Sequence, residues 1–99
     1  MIVRLVTMTF KSNNIDDFLG VFDIYKHKIK AAEGCLDLQL IQNSTNPNEI
    51  STLSKWNSEE ALNTYRNSET FKTVWPLTKI LFSAKPNAIT FTQLMDVIN

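Results

Sequence analysis

Apolar residues recur in this chain with two different periods, and the order in which those periods alternate limits the fold more than any other property of the sequence. Residues 2–10 alternate, with Ile2, Val6, Met8 and Phe10 on one face and Val3, Leu5, Thr7 and Thr9 on the other, which predicts a strand covered at least partly on both sides. Ile15, Phe18, Leu19, Phe22, Tyr25 and Ile29 then follow the i, i+3, i+4, i+7 spacing of one helical stripe running to about Ala32. Asn13 or Asn14 is placed to cap that helix, and Asp16 and Asp17 lie in its first turn, where carboxylates oppose the dipole. Gly34 suits the left-handed residue that closes it. Residues 35–42 alternate again, with Leu36, Leu38 and Leu40 expected on one face. A turn rich in Asn, Ser and Thr around Pro47 leads to a third strand, residues 49–56, with Ile50, Thr52, Ser54 and Trp56 on one side. Asn57 and Glu60 have capping-box spacing before a short helix, and Ser68 opens another with a stripe of Phe71, Val74, Trp75, Thr78, Leu81 and Phe82. Pro76 falls inside that stripe and predicts a kink or restart, because proline removes a helical hydrogen bond. Residues 88–97 read as the closing strand, with Ile89, Phe91, Met95 and Val97 on one face.

The resulting order, β-α-β-β-α(α)-β, is that of an α+β, ferredoxin-like fold built on an antiparallel sheet. Both helical segments cover one face of such a sheet. The first and last strands are not convincingly polar on their other face, so the sequence predicts a homodimer in which two sheets cover each other.

The 99 residues are expected to form a single domain spanning 1–99. Ten basic and ten acidic side chains cancel, so no electrostatic footprint for nucleic acid or an anionic membrane is expected. Cys35 is the only cysteine and His27 the only histidine, which removes disulfides, thiolate cages and multi-histidine sites within one chain. Gly20 and Gly34 stand alone, so there is no glycine-rich phosphate loop. These features, with no signal peptide or membrane span, predict a cytoplasmic protein that needs neither a metal nor an organic cofactor.

Three short stretches carry a resemblance. Glu33-Gly34-Cys35 leads into a strand, Trp56 ends a strand before Ser58-Glu59-Glu60-Ala61-Leu62, and Tyr65 precedes Ser68-Glu69-Thr70-Phe71. In these the chain resembles the antibiotic biosynthesis monooxygenase family, and the likeness extends over nearly its whole length. The resemblance implies a dimeric α+β barrel with a pocket inside each subunit, between helices and sheet. It also implies one of the family's activities: cofactor-independent oxygenation of phenolic polyketides, quinol oxidation or heme degradation.

Carried over residue by residue, the resemblance places Thr7 in the first strand, Tyr65 on the penultimate helix and Trp75 on the last one at family functional positions. Many members have histidines where this chain has Tyr65 and Thr70. The heme-degrading branch has its iron-ligating histidine where this chain has Trp75, so the usual proximal iron bond is absent and heme degradation is disfavoured. Tyr65 is therefore the candidate catalytic residue, a phenol able to hydrogen-bond a bound phenol or quinol and to take part in proton transfer. Thr7, Trp56, Phe71 and Trp75 are the candidate pocket residues, although buried aromatics more often simply pack. His27 among its lysines reads as part of a solvated face, Cys35 as an inert thiol, and Arg4 as a side chain seeking solvent or a partner, with a pocket cation as the weaker alternative. The expected function is monooxygenase-like oxidation of a small electron-rich aromatic by molecular oxygen. The alternative is a ligand-binding or dimerisation domain that keeps the fold without the reaction.

Overall fold

The computed structural model describes residues 1–98. Its elements are β1 (Ile2–Thr9), α1 (Ile15–Lys30), β2 (Cys35–Gln42), β3 (Glu49–Trp56), α2 (Glu59–Arg66), α3 (Glu69–Lys79) and β4 (Asn87–Thr92), with one 3₁₀ turn (Ser12–Asn14) leading into α1. The strands form one antiparallel sheet in the order β2-β3-β1-β4. This is the ferredoxin-like α+β arrangement that the periodicities predict.

β1 is the central strand along which everything else is set. Its register pairs Ile2 with Trp56, Arg4 with Ser54, Val6 with Thr52 and Met8 with Ile50 on β3, and Arg4 with Thr90 and Val6 with Ala88 on β4. Since side chains alternate, all of these lie on one face, the face that meets the helices. At one end of it Met8, Phe10, Phe18 and Ile50 are buried together, with Phe82 and Leu81 packed against them. The rings of Phe10 and Phe18 stack with centroids 4.4 Å apart.

The other face of the sheet carries Val3, Leu5, Leu53, Ile41, Ile89 and Phe91 in mutual register. Ile41, Ile89 and Phe91 remain 40–47% exposed there. Among the described residues no element covers this face.

Several local expectations need correction. Ser58, not Asn57, caps α2, its Oγ accepting from the amide of Ala61 at 3.1 Å. Asn14 stands at the start of α1 without a side-chain cap; its Nδ2 instead donates to the carbonyl of Leu81 at 3.4 Å. α3 runs through Pro76 without a restart. The closing strand stops at Thr92 rather than Val97, and Leu94, Met95, Val97 and Ile98 beyond it are more than 80% exposed. In β2 a register shift between Cys35 and Asp37 makes Leu36 an extra residue. Such a bulge reverses the alternation before it. Cys35 thereby comes into register with Trp56, while Leu36, expected to face the same way as Leu38, is 45% exposed.

Gly34 fixes the junction of these elements. Its φ is +85°, a conformation that costs other residues about 1–3 kcal/mol. A Cβ there would also lie 2.5 Å from Cβ of Ala61 and 2.7 Å from Oδ1 of Asn57. Its carbonyl accepts from the amide of Asn57 at 2.8 Å, tying the start of β2 to the start of α2. Gly34→Ala is therefore expected to lower the melting temperature by roughly 4–8 °C for each kcal/mol lost in a domain of this size. An unchanged melting temperature by circular dichroism would show that the close approach relaxes freely.

Candidate functional site

Beyond Met8 and Ile50 the helix-facing side of the sheet changes character. Large apolar side chains give way to Thr52 and Ser54 on β3 and Ala88 on β4, and the space above these small residues is a cavity of about 360 Å³. Trp56 and Leu38 border it from the sheet, Phe18, Phe22 and Ile29 from α1, and Leu62, Tyr65 and Arg66 from α2. Phe71, Val74, Trp75 and Thr78 face it from α3.

The aromatic wall is continuous. Trp56 stacks on Tyr65 at 5.1 Å, Tyr65 meets Phe71 edge-on at 5.5 Å, and Phe71 stacks on Trp75 at 5.8 Å. Local sequence produces this alignment. Leu62, Tyr65 and Arg66 are i, i+3, i+4 on α2, and Phe71, Val74, Trp75 and Thr78 repeat the pattern on α3. The two helices begin one after the other at serine caps, the Ser68 hydroxyl accepting from the amide of Phe71 at 3.2 Å. Trp56 is only 1% exposed, and its indole Nε1 donates to Ser54 Oγ at 2.9 Å, so both polar groups are satisfied inside an apolar wall.

Four of the five expected site residues thus come together: Trp56, Tyr65, Phe71 and Trp75. Thr7 does not. The alternation of β1 turns it to the uncovered face, where its Oγ1 accepts from the hydroxyl of Ser51 at 3.2 Å. His27 is exposed on α1, away from the cavity. Cys35 lies close enough to Tyr65 to act on its phenol, and burial pushes the Cys35 thiol up, which makes it a poor nucleophile.

Burial, and to a smaller extent Cys35, pushes the Tyr65 phenol up to about 12. At neutral pH it therefore keeps its proton and acts as a hydrogen-bond donor, not as a base. No carboxylate and no imidazole among the described residues lines the cavity. Among the described residues no three His, Cys, Asp or Glu side chains cluster as a bound metal ion requires. Two arginines do reach the lining, Arg4 from β1 and Arg66 from α2. Arg66 was missed in the sequence, although its place one turn after Leu62 on the apolar stripe of α2 is the signal that locates it.

The family model for antibiotic biosynthesis monooxygenase matches residues 1–75, which span β1 through the aromatic wall. The chain belongs to the antibiotic biosynthesis monooxygenase family. Among solved structures, a conserved protein from Methanosarcina mazei Go1 shares 22% identity with a TM-score of 0.86, covering 92% of this chain and 91% of that one. A protein described as antibiotic biosynthesis monooxygenase shares 19% identity over the full length of both chains, with a TM-score of 0.85. Rv0793 from Mycobacterium tuberculosis shares 13% identity and has a TM-score of 0.89, over 98% of each chain. At these identities the likeness is one of fold. No protein of curated function matches the chain.

In this member of the antibiotic biosynthesis monooxygenase family, the Tyr65 phenol sets an alkaline limit. The folded state holds its proton more tightly than the unfolded chain, so stability falls as pH rises from about 10, the unfolded value, toward 12. Between about pH 9 and 11 the melting temperature of wild type is expected to drop more steeply than that of Tyr65→Phe, which lacks this proton. Parallel slopes would contradict the shift.

Proposed function

We propose that the protein is a cofactor-independent monooxygenase acting on a small electron-rich aromatic, a phenol, quinol or polyketide-like ring, with molecular oxygen as co-substrate. The observation that carries this reading is the cavity itself: about 360 Å³, within the usual range for small-molecule sites, walled by stacked aromatics and closed beneath by small side chains. Family membership supports the same reaction class.

The chemistry follows from what the walls provide. An aromatic ring in the cavity lies against the wall formed by Trp56, Tyr65, Phe71 and Trp75 and is desolvated there. The substrate must ionise to water, since the lining has no group that accepts a proton at neutral pH. The ring carbon para to the ionised oxygen, a C–H in the phenol and a CH₂ in its keto tautomer, is then oxidised by oxygen: it becomes a carbonyl, one oxygen atom stays in the product, and the other leaves as water with the ring hydrogen and the proton already lost. Tyr65 donates a hydrogen bond to the ring oxygen where negative charge collects.

Two copies complete the molecule in this reading. The uncovered sheet face, with Val3, Leu5, Leu53, Ile89 and Phe91 in one patch, packs on the same face of a second copy. Sedimentation equilibrium at micromolar concentration is expected to give a homodimer, and Phe91→Lys a monomer. A folded wild-type monomer would refute this assembly.

An oxygen electrode tests the reaction. With a panel of phenols and quinols, wild type is expected to consume oxygen, and Tyr65→Phe to lower kcat about 10²-fold, as loss of a donor to a developing anion does. Tight binding of aromatics without oxygen uptake would leave a ligand-binding domain of the same fold.

A further inference from the structure

Net charge is zero over the whole chain, yet among the described residues the cavity lining contains two positive charges and no negative one. Arg4 projects from the central strand on the helix-facing side, between Val6 and the end of the sheet, and Arg66 comes from the last turn of α2. Their placement brings two guanidinium groups to one rim from different elements. The polar partner Arg4 has among the described residues is a neutral one, the hydroxyl of Thr90, to which Nη1 donates at 2.6 Å. The only ion pair among the described residues joins Lys26 to Asp23 on α1, so no carboxylate neutralises either arginine. Arg4 is held below the ordinary arginine value by burial and by the nearby charge of Arg66. The two cations thus repel one another across a cleft that offers no counter-charge.

Arginine presents a planar fork of donors that fits a carboxylate or a similar oxyanion bidentately. A flat aromatic held by the Trp56–Phe71 wall would carry such a group to the rim, where Arg4 and Arg66 end. We propose that the cavity selects an anionic aromatic, a ring bearing a carboxylate-type substituent, and that Arg4 and Arg66 bind the anionic group while the aromatic wall binds the ring. This rests on the reading of the cavity as the substrate site and adds the charge of the substrate to it.

Isothermal titration calorimetry with three probes of equal ring size tests it: 1-naphthoate, the neutral 1-naphthalenemethanol and the cationic 1-naphthylmethylammonium. Naphthoate is expected to bind at least about 10-fold more tightly than the alcohol, as a charge-assisted contact allows, and to weaken as salt rises; the ammonium is expected not to bind. Arg66→Gln, an exposed position whose change does not threaten folding, is expected to weaken naphthoate about 10-fold and leave the alcohol unchanged. Arg4→Gln is expected to do the same. Equal affinity for naphthoate and alcohol, or indifference of naphthoate to both substitutions, overturns the anion preference and leaves the aromatic cavity intact. Failure of all three probes to bind overturns the inference together with the cavity as a ligand site. Naphthoate preference in a protein that consumes no oxygen with any phenol or quinol removes only the reaction.

Discussion

The pleat of β1 decides what each part of the molecule can be. As the central strand it is hydrogen-bonded on both edges, so its register is fixed by β3 on one side and β4 on the other. A shift of one residue would exchange its two faces completely. With the observed register, Met8 and Phe10 enter the core, Arg4 and Val6 face the cavity, and Val3, Leu5 and Thr7 face outward. Core, site and apolar outer face are therefore consequences of one strand alignment.

A cavity survives beside that core because the sheet surface is graded in size. Phe10, Met8 and Ile50 fill the space at one end and are almost wholly buried there. Thr52, Ser54 and Ala88 occupy the equivalent rows further along and are too short to reach the helices. The helices cannot collapse onto these small residues, because Phe10, Phe18 and Phe82 hold them off at the filled end while Tyr65, Phe71 and Trp75 brace one another ring against ring. Stacked and edge-on contacts hold each ring at a set angle, so the wall keeps its shape without an occupant.

Most of this was legible in the sequence where a local rule acts alone. The order of periods located every element, Gly34 marked the left-handed closure of α1, and the stripe on α3 brought Phe71 and Trp75 to one side. What escaped depended on contacts between distant residues. Asn57 has capping-box spacing, but its side chain is taken up beside Gly34 and the hydroxyl of Ser58 takes the cap instead. The bulge at Leu36 leaves no mark on the alternation of β2 itself; it is visible only against the partner strand. Met95 and Val97 alternate as a strand would, yet β4 ends at Thr92 and the last backbone bond between this segment and β1's side of the sheet is the one the Gln93 amide donates to the carbonyl of Met1. Thr7 was placed in the site by alignment to relatives, against the parity that the strand pattern itself assigned to it.

The same separation of local and distant causes explains the polarity of the site. Tyr65 belongs to α2 by a helical stripe, but its reluctance to ionise comes from the sheet beneath it, where Trp56 covers its ring and the bulge turns Cys35 toward it. A phenol so held can donate and cannot accept a proton at neutral pH. In the proposed reading negative charge in the cavity comes from the ligand, and the cations at the rim lower its cost by facing it without competing carboxylates among the described residues. An acidic side chain in place of Ser54 or Thr90, the residues opposite Arg4 on its two neighbouring strands, would pair with Arg4 and cancel that field. The neutral hydroxyls at those positions are thus as much a part of the site's electrostatics as the arginines themselves.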